Sequence, residues 1–239
     1  MPLSGELYGC EDPTYWRTVF DVYWDVLKAK GGKKKNLSEL DKCVKSLPTV
    51  LSSSWVFNSM SFLTAVPTQY ELQLQLHEQR GKFRPRLQQL VATNSSETVE
   101  ICTRKAFQLL PDVAAAITEL SQLKAVGPAT ASAILAAGAP ESAAFMADEA
   151  MESIPGLTPI QYTLKHYILY LGKIQLCVKK LNQVDTEKAW TPHRVEMCLW
   201  AWAVAQKLCP SLLQTLSLGE KAADEADEDV RPTKKGKTR

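Results

Sequence analysis

The sequence predicts an all-α protein. It divides into a flexible lead-in at 1–11, one multi-helix domain over 12–217 and a disordered tail at 218–239. Three observations predict it. Apolar residues recur at three- and four-residue steps in most of the chain, the period of an amphipathic helix. A capping residue followed by proline, a helix-start pair, occurs as Asp12-Pro13, Thr158-Pro159 and Thr191-Pro192. Glycine and proline then punctuate the periodic stretches, at Gly31-Gly32, Pro48, Pro111 and Pro155-Gly156. The 239 residues suffice for one such unit. A net charge of +2 excludes bulk polyelectrolyte binding, so any nucleic-acid surface must come from local clustering. The six cysteines show no CxxC and no metal-ligand spacing, so they read as reduced core thiols of an intracellular protein. No signal peptide and no membrane-spanning apolar run are visible, so no membrane association is expected.

In chain order, Asp12-Pro13 starts a helix whose Trp16, Val19, Phe20, Tyr23, Val26 and Leu27 hold one face to about Lys30. The run Lys33-Lys34-Lys35 is a solvated loop or a phosphate contact. Ser38 caps a helix with Leu40, Cys43, Val44 and Leu47 inward, and Pro48 disrupts it. Residues 51–66 have clumped aromatics, many serines and no clean period, and are expected to be less ordered than their neighbours. Pro67 opens a helix to Gln79. The segment Arg80-Gly81-Lys82-Phe83-Arg84-Pro85-Arg86 is the densest basic site before the tail. There Lys82, Arg84 and Arg86 either neutralise phosphate or cap helix carbonyls. Leu87 to Val91 is helical. Asn94 to Glu97 is a turn and cap before a helix over about 97–110, which Pro111 breaks. Past Pro155-Gly156, the box Thr158-Pro159-Ile160-Gln161 predicts the start of a long helix with Tyr162, Leu164, Ile168, Leu171 and Leu176 inward. His166 lies on that helix with no visible ligand set. Thr191-Pro192 starts the last helix, with Val195, Cys198, Leu199, Trp202 and Leu208 on its apolar face. From Leu218 an acidic block and a basic end lack aromatics and cannot bury a core. The terminal Lys234-Lys235-Gly236-Lys237-Thr238-Arg239 suggests nuclear localisation.

The chain turns on residues 113–138. Val113, Ile117, Leu120 and Leu123 form one helical pattern. Thr130, Ala131, Ile134, Leu135 and Gly138 form a second, and Leu123 to Pro128 joins them. This is a helix–hairpin–helix pattern. Gly127 is read as permitting a backbone that a side chain would forbid. Pro128 suits the first turn of the second helix. Such a turn offers free N–H groups to an anion, typically a DNA phosphate. A plain helical hairpin inside a bundle would show the same pattern.

Downstream, Asp148 begins a further helix. With Leu123, Val126, Gly127, Thr130 and Ala131, this resembles the helix–hairpin–helix (HhH-GPD-type) DNA glycosylase superfamily, in particular a eukaryotic branch of it. The resemblance covers about 123–151. It implies a multi-helix glycosylase fold, a double-stranded DNA partner and a base-excision repair role. The family's catalytic aspartate aligns with Asp148. Its first turn glycine is replaced by Ala125. Ala129 stands where lyase members hold their Schiff-base lysine. The resemblance therefore implies a monofunctional, water-using N-glycosylase, with Val126, Gly127, Pro128, Ala129 and Thr130 gripping DNA. No cofactor or metal is expected, and the protein is read as a monomer. The alternatives are a catalytically inactive DNA-binding or protein-interaction scaffold, and a helical module with no nucleic-acid role. An aspartate at a helix start is also an ordinary N-cap.

Overall fold

The computed structural model describes residues 7–31 and 87–213, which are helical with no strand among them. The lysine run at 33–35, the helices read at 38–47 and 67–79, the segment 51–66, the basic site with Lys82, Arg84 and Arg86, and the tail at 218–239 lie outside the described residues.

The chain is packed from Leu7 onward, earlier than the lead-in reading allows. Leu7–Gly9 is a 3-10 turn with Leu7 buried. The Cys10 carbonyl accepts from Trp16 Nε1 at 2.9 Å. Helix α1, Pro13–Asp21, starts as predicted, with the Asp12 carboxylate accepting from the Thr14 N–H at 2.9 Å. The single helix expected to Lys30 is in fact two: Val22 ends α1, and α2 runs Tyr23–Gly31. Their aromatics are core, as the amphipathic spacing implies: Trp16, Val19, Tyr23, Val26 and Leu27 are buried.

Helix α3 is Leu87–Val91, and α4 is Ser96–Gln108 with Ser95 as its cap. Helix α5, Val113–Leu120, and α6, Pro128–Gly138, make the hairpin. Helix α7 is the short Asp148–Glu152, α8 is Leu164–Val184 and α9 is Pro192–Leu208.

Helix α8 corrects the sequence reading. It is capped by Thr163, whose Oγ1 accepts from the His166 N–H at 3.2 Å, and not by Thr158. Thr158-Pro159 is a cis bond in the preceding loop. The face also differs. Tyr167, Tyr170, Leu171, Ile174, Cys177 and Leu181 are buried, while Tyr162, Ile168 and Leu176 are exposed. Leu171 is common to the expected and the buried face. The two buried tyrosines bring apolar rings inward and spend their hydroxyls on buried carbonyls.

Helix α9 is the centre of the fold. It packs against α1, α2, α6, α7, α8 and the first 3-10 turn. Its Leu199 to Ala205 stretch is buried continuously, which no single amphipathic face would give. Leu208, read as inward, is exposed. Trp200 and Trp202 meet Tyr23 and Tyr15 at ring centroids of 5.5 and 5.7 Å. Among the described residues, no helix is long and apolar enough to cross a membrane. Cys102, Cys177 and Cys198 are buried and Cys10 and Cys209 half-buried, and none of these five is in a disulfide.

Candidate nucleic-acid interface

The hairpin turn is seated by its apolar ends. Leu123 and Val126 are both buried, and the Val126 N–H donates to the Leu123 carbonyl at 3.1 Å. Between them the chain must reverse, which needs one residue in the left-handed region. That residue is Ala125, at φ 64. Gly127, read from sequence as the position needing a glycine, has φ −103 and ψ −178, extended backbone open to any residue. A Cβ added there would meet nothing within 4 Å among the described residues. The steric exception therefore sits two residues earlier, on a side chain that left-handed backbone penalises by about 1–2 kcal/mol.

Gly127 is the N-cap of α6 and supplies no side-chain cap bond. Among the described residues, no hydrogen bond uses the amides of Gly127, Ala129 or Thr130, and Pro128 has none to offer. The first turn of α6 therefore keeps the orphan donors that helix starts carry. Gly127 is exposed, and Pro128 and Ala129 are half-buried. Val126 and Thr130, expected among the DNA contacts, have buried side chains, and the Val126 N–H is used internally. At the start of α6 the groups open to a partner are chiefly backbone, from Gly127 to Ala129, with the exposed Lys124 in the turn before them.

From α6 the chain runs through the buried stretch Ala143-Ala144-Phe145-Met146-Ala147 to Asp148. A buried non-helical stretch must find partners for its peptide groups. Side chains supply them. Tyr167 donates to the Ala144 carbonyl at 3.1 Å, and Tyr170 to the Phe145 carbonyl at 2.9 Å. Ser132, fully buried on α6, accepts from the Met146 N–H at 2.9 Å and donates to the Ala129 carbonyl at 2.7 Å. One hydroxyl thus joins the start of the hairpin's second helix to the residue two before Asp148. Burial, with the nearby Glu196 carboxylate adding to it, pushes the Tyr167 phenol well above its ordinary value, so its proton stays available to the carbonyl.

Asp148 is the first residue of α7. It does not cap the helix, since Ala147 holds the cap position. Its side chain is half-buried, and both carboxylate oxygens face the Tyr162 hydroxyl, at 2.7 and 2.8 Å. The other acids of α7 meet cations. Glu149 pairs with Lys30, which also lies 5.1 Å from the Trp200 ring centroid. Glu152 pairs with Lys207 at 3.1 Å. Asp148 is the α7 acid whose described partner is neutral, so its charge is oriented but not cancelled. Among the described residues, no group of three or more His, Cys, Asp or Glu is placed to hold a metal ion.

Sequence reasoning singled out Asp148 and the turn but missed Asn94, Ser132, Tyr162, Tyr167 and Tyr170. The three-residue spacing of Tyr167 and Tyr170 on one helical face was the available signal for two of them. Nothing local marks the contacts of Ser132 or Tyr162, which are made across 14 positions each. Comparison of the chain with protein-family models, with curated proteins and with solved structures returned no match.

Proposed function

We propose that the chain binds double-stranded DNA through the α5–α6 hairpin and acts as a monofunctional DNA N-glycosylase with Asp148 as its carboxylate. The observation that carries the reading is the environment of Asp148. Among the described residues Asp148 faces a neutral hydroxyl and no cation, which leaves its carboxylate for a developing sugar cation, whereas Glu149 and Glu152 are spent on lysines. Cleaving an N-glycosidic bond builds positive charge at the anomeric carbon. A fixed carboxylate beside it stabilises that charge and activates a water. The target base must leave the stack first, and a backbone amide grip on phosphate holds the strand meanwhile. Ser132 supports the coupling, because it ties the start of α6 to the Asp148 segment. Ala129 offers no amine at the aligned position, so the reading includes no imine route and no strand cleavage there. In this reading the protein is a nuclear, base-excision repair enzyme that works as a monomer without a cofactor.

The test is base release from a panel of lesion-bearing duplexes. Wild type should release a base from at least one and Asp148→Asn should not, with no borohydride-trapped covalent complex from either. Equal release by both removes Asp148 from the mechanism. Gly127→Ala is the matched binding test. The added methyl meets no atom of the described residues, so a fall in duplex affinity at unchanged stability reports the phosphate side. Affinity should also drop as salt rises, with a slope of about −0.9 per phosphate neutralised.

A second reading has its own observation. The Tyr162 hydroxyl already occupies both Asp148 oxygens, which favours a catalytically inactive helix–hairpin–helix scaffold that binds DNA or protein. Duplex binding without base release from any lesion would select it.

A further inference from the structure

We propose that Asn94 is the positioning residue of the hairpin. Its side-chain amide clasps the turn from outside and holds it in the shape that a glycine at position 125 would otherwise supply. The claim about DNA rests on the hairpin reading above, while the clasp stands on its own geometry. Asn94 lies in the turn between α3 and α4, 30 positions before the residue it grips. Its Oδ1 accepts from the Lys124 N–H at 2.8 Å, and its Nδ2 donates to the Lys124 carbonyl at 3.2 Å. The same Nδ2 donates to the Val91 carbonyl at 2.8 Å, and the Asn94 N–H donates to that carbonyl at 3.0 Å. The amide therefore holds both polar groups of one residue while its own root is fixed to the end of α3. Gripping N–H and carbonyl together sets the two peptide planes that flank Lys124. The second of these planes leads straight into Ala125, the left-handed residue.

Two features make this more than an incidental surface contact. The Lys124 N–H has no other partner among the described residues, so its order depends on Asn94. The clasp also acts on the residue beside the one place where the turn departs from ordinary alanine backbone. From there the chain passes through the buried Val126 to the free amide of Gly127. The site needs one acceptor and one donor on a planar group at the reach of asparagine. Aspartate would keep the acceptor and lose the donor.

The experiment uses the full chain in four forms: wild type, Asn94→Ala, Ala125→Gly and the double variant. Residue-resolved amide exchange is the first readout. Asn94→Ala should speed exchange at Lys124 and Val126 by about tenfold, as expected for losing local hydrogen bonds, while α8 and α9 stay as protected as before. Affinity for a short lesion-free duplex at low salt is the second readout, and should fall several-fold in Asn94→Ala. The double variant should recover protection at Val126 and the duplex affinity, because glycine adopts the left-handed turn without help, while the Lys124 N–H, its acceptor removed, stays fast. Unchanged exchange at Lys124 and Val126, a uniform rise across the chain, or no recovery at Val126 in the double variant would overturn the clasp. If wild type ignores the duplex, the DNA reading fails and the exchange results still decide the role of Asn94.

Discussion

At the scale of single residues, the hairpin holds a strained alanine where a glycine would be at ease. Left-handed backbone costs an alanine about 1–2 kcal/mol, and glycine gives back about 0.5–1 kcal/mol in unfolded-chain entropy. Ala125→Gly in the wild-type background should therefore stabilise the protein by about 0.5–1 kcal/mol, read as a higher urea midpoint at unchanged slope. A lower midpoint would mean that the Ala125 methyl makes contacts worth more than the strain. Tyr162 gives the corresponding test for the acid. Tyr162→Phe removes one hydroxyl and leaves the ring. If the hydroxyl orients the Asp148 carboxylate for the reaction, base release should slow by about tenfold at unchanged duplex affinity. Faster release would instead identify the phenol as a plug over the carboxylate. The cysteines divide by burial. Burial pushes the Cys177 thiol up to about 12 and the Cys198 thiol well above its ordinary value. Both should resist thiol reagents until the protein unfolds.

Single helices and their joints show what the sequence alone could carry. Starts with a local signal were legible. Asp12 and Thr191 cap as read, because a cap and its target N–H lie two or three residues apart. Thr158-Pro159 carried the same signal and failed, because a better-placed Thr163 sits four residues before a face that buries tyrosine. The hairpin's two helices and the helical start at Asp148 were legible in the same way, from period and punctuation. The fastening of the Asp148 segment was not, because it depends on hydroxyls reaching peptide groups 14 to 25 positions away. That fastening makes a prediction. Ser132→Ala leaves the Met146 N–H buried without a partner, at a cost of about 1–3 kcal/mol. Ser132→Thr restores the hydroxyl and should lose less if the core admits one methyl. Chemical denaturation of the three forms checks the order. A second joint is steric. A Cβ at Gly138 would lie 2.3 Å from the Phe107 ring tip, so α6 ends in close approach to α4. Gly138→Ala must displace that ring.

The whole molecule is closed by contacts between its two ends. Helix α9 runs through the centre, and α1 is strapped to it and to the turn before it. The Trp16 ring meets Trp190 at 6.1 Å, and the Cys198 thiol donates to the Trp16 carbonyl at 3.5 Å. The strap is anchored on Asp185, a buried acid in the α8–α9 turn. Its carboxylate accepts from Trp190 Nε1 at 2.6 Å and from the Glu187 N–H at 2.9 Å, and it pairs with Arg17 of α1. Burial alone would raise its pKa, but the hydrogen bonds from Glu187 and Trp190 and the Arg17 charge outweigh burial and hold it below 3.8. The sign of the linkage follows. A carboxylate with a depressed folded pKa contributes stability that is present above its unfolded value and is lost as pH falls through the folded one. Asp185→Asn removes the charge and points an amide donor at donors. It should be less stable than wild type near neutrality, and the gap should close as pH drops well below 3.8. Glu187, which also lies 3.4 Å from Arg17, is the same in both proteins. Unfolding free energy across that range is the measurement. A gap that stays constant with pH would mean that Asp185 acts through shape and not through charge, and that the ion pair to Arg17 adds nothing to the closure.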